Sequence, residues 1–173
     1  SSQVGCRMGC RFCRTAKMGF QRSLEPHEIV GQLFNARFVL RADIKNIVFM
    51  GMGEPFDNFS AVMQAVHVMN EQKGLDVAFR HITLSTAGLV GGIRALADKG
   101  LTNIRLAVSI NSADETLRSQ IMPVSRANSL KDLKEALMAY RLPKRGTFLF
   151  EYILIKGLND SLKDAIQLAE YIN

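Results

Sequence analysis

Cys6-Arg7-Met8-Gly9-Cys10-Arg11-Phe12-Cys13 contains every cysteine of the 173-residue chain, at Cys-x3-Cys-x2-Cys spacing. Three thiolates on one short loop suit three irons of a cubane iron–sulfur cluster, which ordinarily takes four cysteines. With no fourth cysteine in the chain, the last iron is left with an open position, the arrangement by which catalytic metal sites admit a reactant. A disulfide framework wants an even count and a secreted setting, and neither is visible. A zinc site needs a fourth ligand, and the only histidines are His27, His67 and His81, none at finger spacing. Buried structural cysteines do not cluster on a loop with Arg7, Arg11 and Arg14. The triplet favours a cluster and awaits its structural context.

Composition sets outer limits. At 47% hydrophobic the chain supports one domain with its own core. No apolar run reaches the length of about 18 residues that a membrane span needs, and no leader with a cleavage site is visible. Thiols destined for a cluster stay reduced, which makes the cytoplasm the expected compartment. Lys and Arg exceed Asp and Glu by 22 − 16 = 6. The distribution says more than the sum: Arg7, Arg11, Arg14, Lys17 and Arg22 lie in a stretch, residues 1–24, without an acidic residue. A second basic knot is Arg141-Leu142-Pro143-Lys144-Arg145. Such charge is ordinary solubilising surface, or compensation for a thiolate-bound cluster, or the phosphate-facing rim of a nucleic-acid site. Charge alone leaves these open.

Short apolar runs alternate with helical patterns, the signature of βα units around a parallel sheet. Ile47–Met50, Ile82–Leu84, Ile104–Ile110 and Phe148–Ile155 read as strands buried on both faces, and the Val4 region as a first strand feeding the cysteine loop. Helical periodicity places Val30, Leu33, Phe34 and Phe38 on one face after Pro26, which is tolerated in a first helical turn. Val62, Ala65, Val66 and Met69 form the next stripe. Gly91–Lys99 is a short helix ending at Gly100, and Ala113–Gln120 a helical turn stopped by Pro123. Leu130, Leu133, Leu137 and Tyr140 follow Ser129 as N-cap, and Leu162, Ala165, Ile166 and Ala169 follow Asn159-Asp160-Ser161. About five βα units result, so the expected fold is α/β, a partial TIM-type (β/α)6 barrel. The pattern begins at a strand and ends on a helix, and reads as a single domain over residues 1–173, excised from a longer protein.

In such a barrel the chemistry gathers on loops after the C-terminal strand ends. Four ends stand out: the cysteine loop; Met50-Gly51-Met52-Gly53-Glu54-Pro55, where glycines permit close backbone approach and Glu54 supplies a carboxylate; Thr83-Leu84-Ser85-Thr86-Ala87-Gly88; and Ala107-Val108-Ser109-Ile110-Asn111. Singly, each is as well explained by a turn or a helix cap. Their succession downstream of the cysteines is harder to attribute to chance. Glu151, flanked by Phe150 and Tyr152 in a strand, faces either the lumen or a salt bridge, and Phe12 either a ligand or the cluster itself.

The cysteine triplet with an aromatic before its last member resembles the radical S-adenosylmethionine (SAM) enzymes. In these the open iron chelates the amino and carboxylate groups of SAM, and an electron from the cluster breaks the sulfonium bond to give a 5′-deoxyadenosyl radical. Further stretches run in order: Ser1-Ser2-Gln3-Val4-Gly5-Cys6, Gly19-Phe20-Gln21-Arg22, Phe49–Pro55, Thr83–Gly88, Met122-Pro123, Phe150-Glu151-Tyr152 and Gly157-Leu158-Asn159-Asp160-Ser161. Together they resemble the dual-specificity adenine-C2 RNA methyltransferases (the RlmN family, related to the Cfr enzymes) over essentially the whole chain. By matching positions, the resemblance implies that Cys6, Cys10 and Cys13 hold a [4Fe-4S] cluster. It implies SAM contacts from Gly53, Glu54, Ser85, Ser109 and Asn111, with the Ile110 backbone assisting. Many relatives carry His where this chain has Asn111, and the triplet region is more basic than the family pattern.

The family also uses two relay cysteines, one just before the Ser1-Ser2-Gln3-Val4 segment and one beyond the C-terminus, and an asparagine past the final helix. None of these is present, so no catalytic residue is assigned within the chain. The expected function of the intact protein is methylation of adenine C2 in 23S rRNA, with tRNA as a further candidate, using two SAM molecules. An electron donor such as flavodoxin, a monomeric state and no membrane association complete the expectation, and the chain alone is expected not to transfer methyl groups. Two rivals stay open: another radical SAM enzyme, acting at adenine C8 or on a substrate that is not RNA, and a zinc-stabilised basic nucleic-acid-binding module.

Overall fold

The computed structural model describes residues 1–173. Its centre is a parallel sheet of β3 (Ile47–Phe49), β4 (Ile82–Thr86), β5 (Arg105–Ser109) and β6 (Leu149–Glu151), hydrogen-bonded in that order. The register runs Ile47 beside Ile82, Thr83 beside Arg105 and Ser109 beside Glu151. All C-terminal ends therefore emerge on one side, as the partial barrel requires. Before this sheet come β1 (Gln3–Gly5), a helical turn α1 (Arg14–Lys17) and β2 (Phe20–Ser23). The Val4 strand does not join the parallel sheet as expected; it pairs antiparallel with β2, a strand not anticipated. It is linked to the segment beyond β3, where the Ser2 and Gln3 amides donate to the Met52 carbonyl and the Asn58 side chain donates to the Ser2 carbonyl.

The helices pack on one another around the sheet. These are α2 (Pro26–Phe34), α3 (Phe59–Asn70), α4 (Val90–Asp98), α5 (Glu115–Ile121), α6 (Leu130–Ala139) and α7 (Leu162–Ile172). Local signals set several of their ends. Pro26 opens α2 inside a reciprocal Glu25/Glu28 capping box, and Gly100, at φ +68°, follows α4. The Ser129 hydroxyl accepts from the Asp132 amide at 3.1 Å, and Ser161 with Asp164 caps α7. The core is a cluster of 24 buried residues that includes Val62, Val66 and Met69 of α3, Leu84, Leu106 and Val108 of the sheet, and Leu133 and Leu137 of α6.

Four expectations are corrected. Burial on both faces holds for β4 and β5 but not for the edge strands, where Val48 is 55% exposed and Leu149 43%. On α2 the buried residues are Ile29 and Leu33, while Phe34 and Phe38 are exposed, their rings tilted against each other with centroids 4.7 Å apart. The four-residue spacing of Ile29 and Leu33 sets the inner face and leaves Phe34 off it, and the π-helical turn at Asn35–Val39 that follows carries Phe38 beside Phe34. On α7 the anticipated stripe of Leu162, Ala165, Ile166 and Ala169 is solvent-facing; Leu168 and Tyr171 pack inward instead, and the Tyr171 hydroxyl donates to the Leu130 carbonyl at 2.8 Å. The last strand is also shorter than Phe148–Ile155. Asn159 captures the chain beyond Glu151, accepting from the Ile155 amide and donating to the Ile153 carbonyl, which bends it out of the sheet.

Candidate functional site

A cavity of about 410 Å³ opens where the parallel strands end. Its wall brings together Cys6, Cys10 and Cys13 with Gly53, Glu54, Ser85, Ser109, Asn111 and Glu151, completed by Phe12, Met122 and others. Segments as far apart in sequence as Cys6 and Ile153 thus meet at one mouth, as loops after strand ends do in a βα barrel.

The cysteine loop starts at the end of β1 and is held by backbone bonds: the Cys6 amide donates to the Gly19 carbonyl at 3.2 Å, the Cys13 amide to the Cys10 carbonyl at 3.0 Å, and the Arg11 amide to the Ile121 carbonyl of α5 at 2.9 Å. The three thiols are free and half-buried. Burial pushes the Cys10 thiol up to about 11, with Cys6, Cys13 and Glu54 adding to the rise. Burial likewise raises Cys6, and Glu54, Cys13 and Asp57 add to it. The thiols therefore lie close enough to repel one another as thiolates, a cost that a cationic cluster reverses. No three Cys, His, Asp or Glu side chains converge where a single metal ion would sit. Three soft thiols line the cavity, and in a cubane each takes its own iron. The donor chemistry fits the cluster.

Glu54 is 3% exposed, and its carboxylate is held by backbone amides: Oε2 accepts from Ala87 at 2.7 Å and Oε1 from Phe56 at 3.1 Å. Burial outweighs these bonds and pushes its carboxyl up to about 7. Gly53, at φ +99°, is required for a reason other than close approach to a ligand. A Cβ there would sit 2.7 Å from both Gln3 Cβ and Ser2 Oγ, so the glycine admits the chain's own first residues. Gln3, fully buried, then organises this corner: its Oε1 accepts from the Glu54 amide and its Nε2 donates to Asp57 at 2.7 Å.

Ser85 and Ser109 both reach the cavity, and both hydroxyls donate to Glu151 Oε2, at 2.9 and 3.3 Å. Asn111, at φ +57°, lines the cavity but is largely engaged already. Its Oδ1 accepts from the Ile153 amide, its Nδ2 donates to the Met122 thioether, and its carbonyl accepts from Asn159. Ile110 does not reach the wall: its side chain is fully buried, its amide donates to the Glu151 carbonyl, and its own carbonyl accepts from Arg118.

Arg118 is the residue the sequence reading missed. Fully buried on α5, it donates to the carbonyls of Ala87, Ser109 and Ile110 and to the Ser125 hydroxyl, tying the ends of β4 and β5 from behind. The available signal was an arginine on the apolar side of a short helix, and it does not name its acceptors. Of the basic residues near the loop, Arg7 pairs with Asp57 at 2.8 Å and covers the Phe20 ring, and Arg22 pairs with Glu28. Arg11, Arg14 and Lys17 are exposed and without an acidic partner. His27, His67 and His81 lie outside the cavity wall.

A family model described as the radical SAM superfamily matches residues 1–169. A dual-specificity RNA methyltransferase RlmN of Lawsonia intracellularis is 46% identical over 178 residues, covering 99% of this chain and 49% of that protein. A probable dual-specificity RNA methyltransferase RlmN of Aquifex aeolicus is 44% identical over 174 residues, covering 99% and 50%. The crystal structure of a radical SAM methyltransferase from Sphaerobacter thermophilus superposes with a TM-score of 0.93 at 39% identity, covering 99% of this chain and 51% of that one. The chain spans about half the length of the curated relatives it matches. On its motif, its fold and these likenesses, the chain belongs to the radical SAM superfamily.

Proposed function

We propose that residues 1–173 are the central domain of a radical SAM RNA methyltransferase acting on adenine C2 of 23S rRNA and tRNA. In this reading Cys6, Cys10 and Cys13 hold a [4Fe-4S] cluster, and Gly53, Glu54, Ser85, Ser109 and Asn111 form the SAM site. The observation that carries it is the single cavity in which all of these residues meet. When bound, the cluster and SAM supply the electron-transfer and methyl-donor chemistry, leaving the protein to bind, orient and exclude water.

The residues divide that work. The cysteines give up their protons on binding iron, which relieves their mutual repulsion. Glu54 offers the carboxylate lone pairs left by its two amide donors to a ligand ammonium. Asn111 braces the end of β5 against the segment after β6, and Ile110 contributes through its backbone bonds rather than at the wall. Phe12 and Met122 close the cavity with apolar surface. Arg11, Arg14 and Lys17 are the free cations for RNA phosphates, an electron donor of the flavodoxin type feeds the cluster, and the enzyme works as a cytoplasmic monomer. The thiol that carries the methyl group lies outside residues 1–173, since all three cysteines here are ligands.

Anaerobic preparation with iron, sulfide and absorption analysis tests the cluster. The expected result is a cluster in the wild type and its loss in each of Cys6→Ala, Cys10→Ala and Cys13→Ala; full retention in the single variants, or zinc in place of iron, overturns it. A reduced, cluster-loaded reaction with labelled SAM and unmodified RNA tests the division of labour. Label should enter RNA with the intact enzyme and not with residues 1–173 alone. Label transferred by the shorter chain would remove the need for an outside thiol, and with it this assignment.

A further inference from the structure

We propose that Glu151 is a positioning residue that turns Ser85 and Ser109 into hydrogen-bond acceptors for the vicinal diol of a nucleoside ligand. This rests on the SAM-site reading above and goes beyond it in naming a residue and the ligand group it selects. A serine hydroxyl has one proton and two lone pairs. Here both protons are committed to the same oxygen, Glu151 Oε2, at 2.9 Å from Ser85 and 3.3 Å from Ser109. What the serines have left to present to the cavity is lone pairs, and the carboxylate between them has lone pairs only.

The wall at the ends of β4, β5 and β6 is therefore all acceptor. It disfavours a phosphate or carboxylate and favours a group bringing two donors to neighbouring positions. Two adjacent hydroxyls do this, each giving one proton to one serine oxygen. The placement is held firmly: Ser109 and Glu151 are direct register partners of β5 and β6, and the Glu151 carbonyl accepts from the Ile110 amide one residue further on. The Ser109 carbonyl is in turn held by buried Arg118. Small shifts of the carboxylate would free the hydroxyl protons to rotate into the cavity, and the pair of fixed acceptors side by side would be lost.

The test uses cluster-loaded intact enzyme and two probes, S-adenosylhomocysteine and its 2′,3′-dideoxy analogue, with affinities from anaerobic calorimetry. Both probes carry the same amino acid, so their affinity ratio reads the diol alone. Two neutral hydrogen bonds predict a wild-type preference for the ribose probe of about tenfold or more. In Glu151→Gln the amide can donate to one serine oxygen and turn its proton outward, and the ratio should fall by about threefold, the worth of one neutral hydrogen bond, while affinity for the dideoxy probe stays put. Equal weakening of both probes would make Glu151 merely structural or assign the acceptors to the ammonium, and either overturns the proposal. An unchanged ratio in the variant, or no preference in the wild type, overturns it too. Should Glu151→Gln not fold, Glu151→Asp withdraws the carboxylate by one methylene and should lower the same ratio, with retention of the wild-type ratio refuting the proposal. A wild type that binds neither probe would instead remove the SAM-site reading itself.

Discussion

Replacing Arg118 by methionine should be among the most damaging single changes outside the cavity wall. The guanidinium is fully buried and donates from Nε to Ile110 O at 3.0 Å, from Nη1 to Ser125 Oγ at 2.8 Å, and from Nη2 to Ala87 O at 2.9 Å and Ser109 O at 3.1 Å. Burial pushes its pKa down from the ordinary value, opposed by Tyr171, Glu115 and Cys10. Charge balance comes through a relay: Ser125, which accepts from Arg118, donates to Glu115 Oε1 at 2.7 Å, and Glu115 Oε2 accepts from the Leu130 amide. Methionine matches much of the volume but leaves three carbonyls and a carboxylate relay without their donor. Bonds to a charged group are worth about 1.5–3 kcal/mol each, but they share one side chain and do not add. Breaking a buried charged network from one side costs about 3–5 kcal/mol, so we take about 4 kcal/mol for Arg118→Met. For a chain of this size that is about 8–16 °C in midpoint temperature. Urea denaturation of the apo-protein, followed by circular dichroism under reducing conditions, measures it. Arg118→Lys, with a point charge in place of the fork, should fall between the two. A loss below about 1 kcal/mol for Arg118→Met would refute the claim that this side chain holds the strand ends together.

Three further outcomes follow from the geometry. Glu54 holds its proton in the folded state up to about pH 7, against an ordinary value of 4.5, so its share of apo-protein stability is fully present below pH 4.5 and is lost as pH rises to 7. The loss approaches about 3 kcal/mol, and it should vanish from the wild type minus Glu54→Gln difference if another group is responsible. Gly53→Ala should cost about 3 kcal/mol in the same denaturation assay, from a positive φ and the clash with Gln3 and Ser2; a loss within about 0.5 kcal/mol would show that the first residues are not held there. Charge reversal at Arg11, Arg14 or Lys17 in the intact enzyme should weaken RNA binding and flatten its salt dependence by about one unit of log–log slope for each phosphate no longer neutralised. The paired Arg7 and Arg22 should matter less, and equal effects at all five would refute the distinction.

The local features of this protein were legible in its sequence. The cysteine spacing, Pro26 in a first helical turn, the Ser129 cap, the start of the last helix at Asn159-Asp160-Ser161 and the α3 stripe each depend on residues within a turn or two of one another, where pattern and structure are nearly the same statement. The alternation of apolar runs and helical stripes was likewise enough for a parallel βα sheet with its chemistry at one end. Where a helix offered apolar residues on more than one side, the reading chose the wrong face: α2 turns Ile29 and Leu33 inward and leaves Phe34 and Phe38 exposed, and the inward face of α7 is Leu168 and Tyr171.

What only the tertiary structure decided lies in bonds between distant segments. Glu151 meets Ser85 across 66 positions and Ser109 across 42, Gln3 meets Glu54 across 51, and Arg118 meets Ala87 across 31. No period or spacing encodes such pairs, because a buried polar group finds its partner through the packing of whole elements, after the chain has folded. The same cause placed β1 against β2 instead of in the sheet, and gave Gly53 its reason in the neighbouring Ser2–Gln3 segment. The sequence by itself determined which residues could do chemistry. Which of them face one another, and so which present donors and which acceptors to a ligand, was settled by three-dimensional packing.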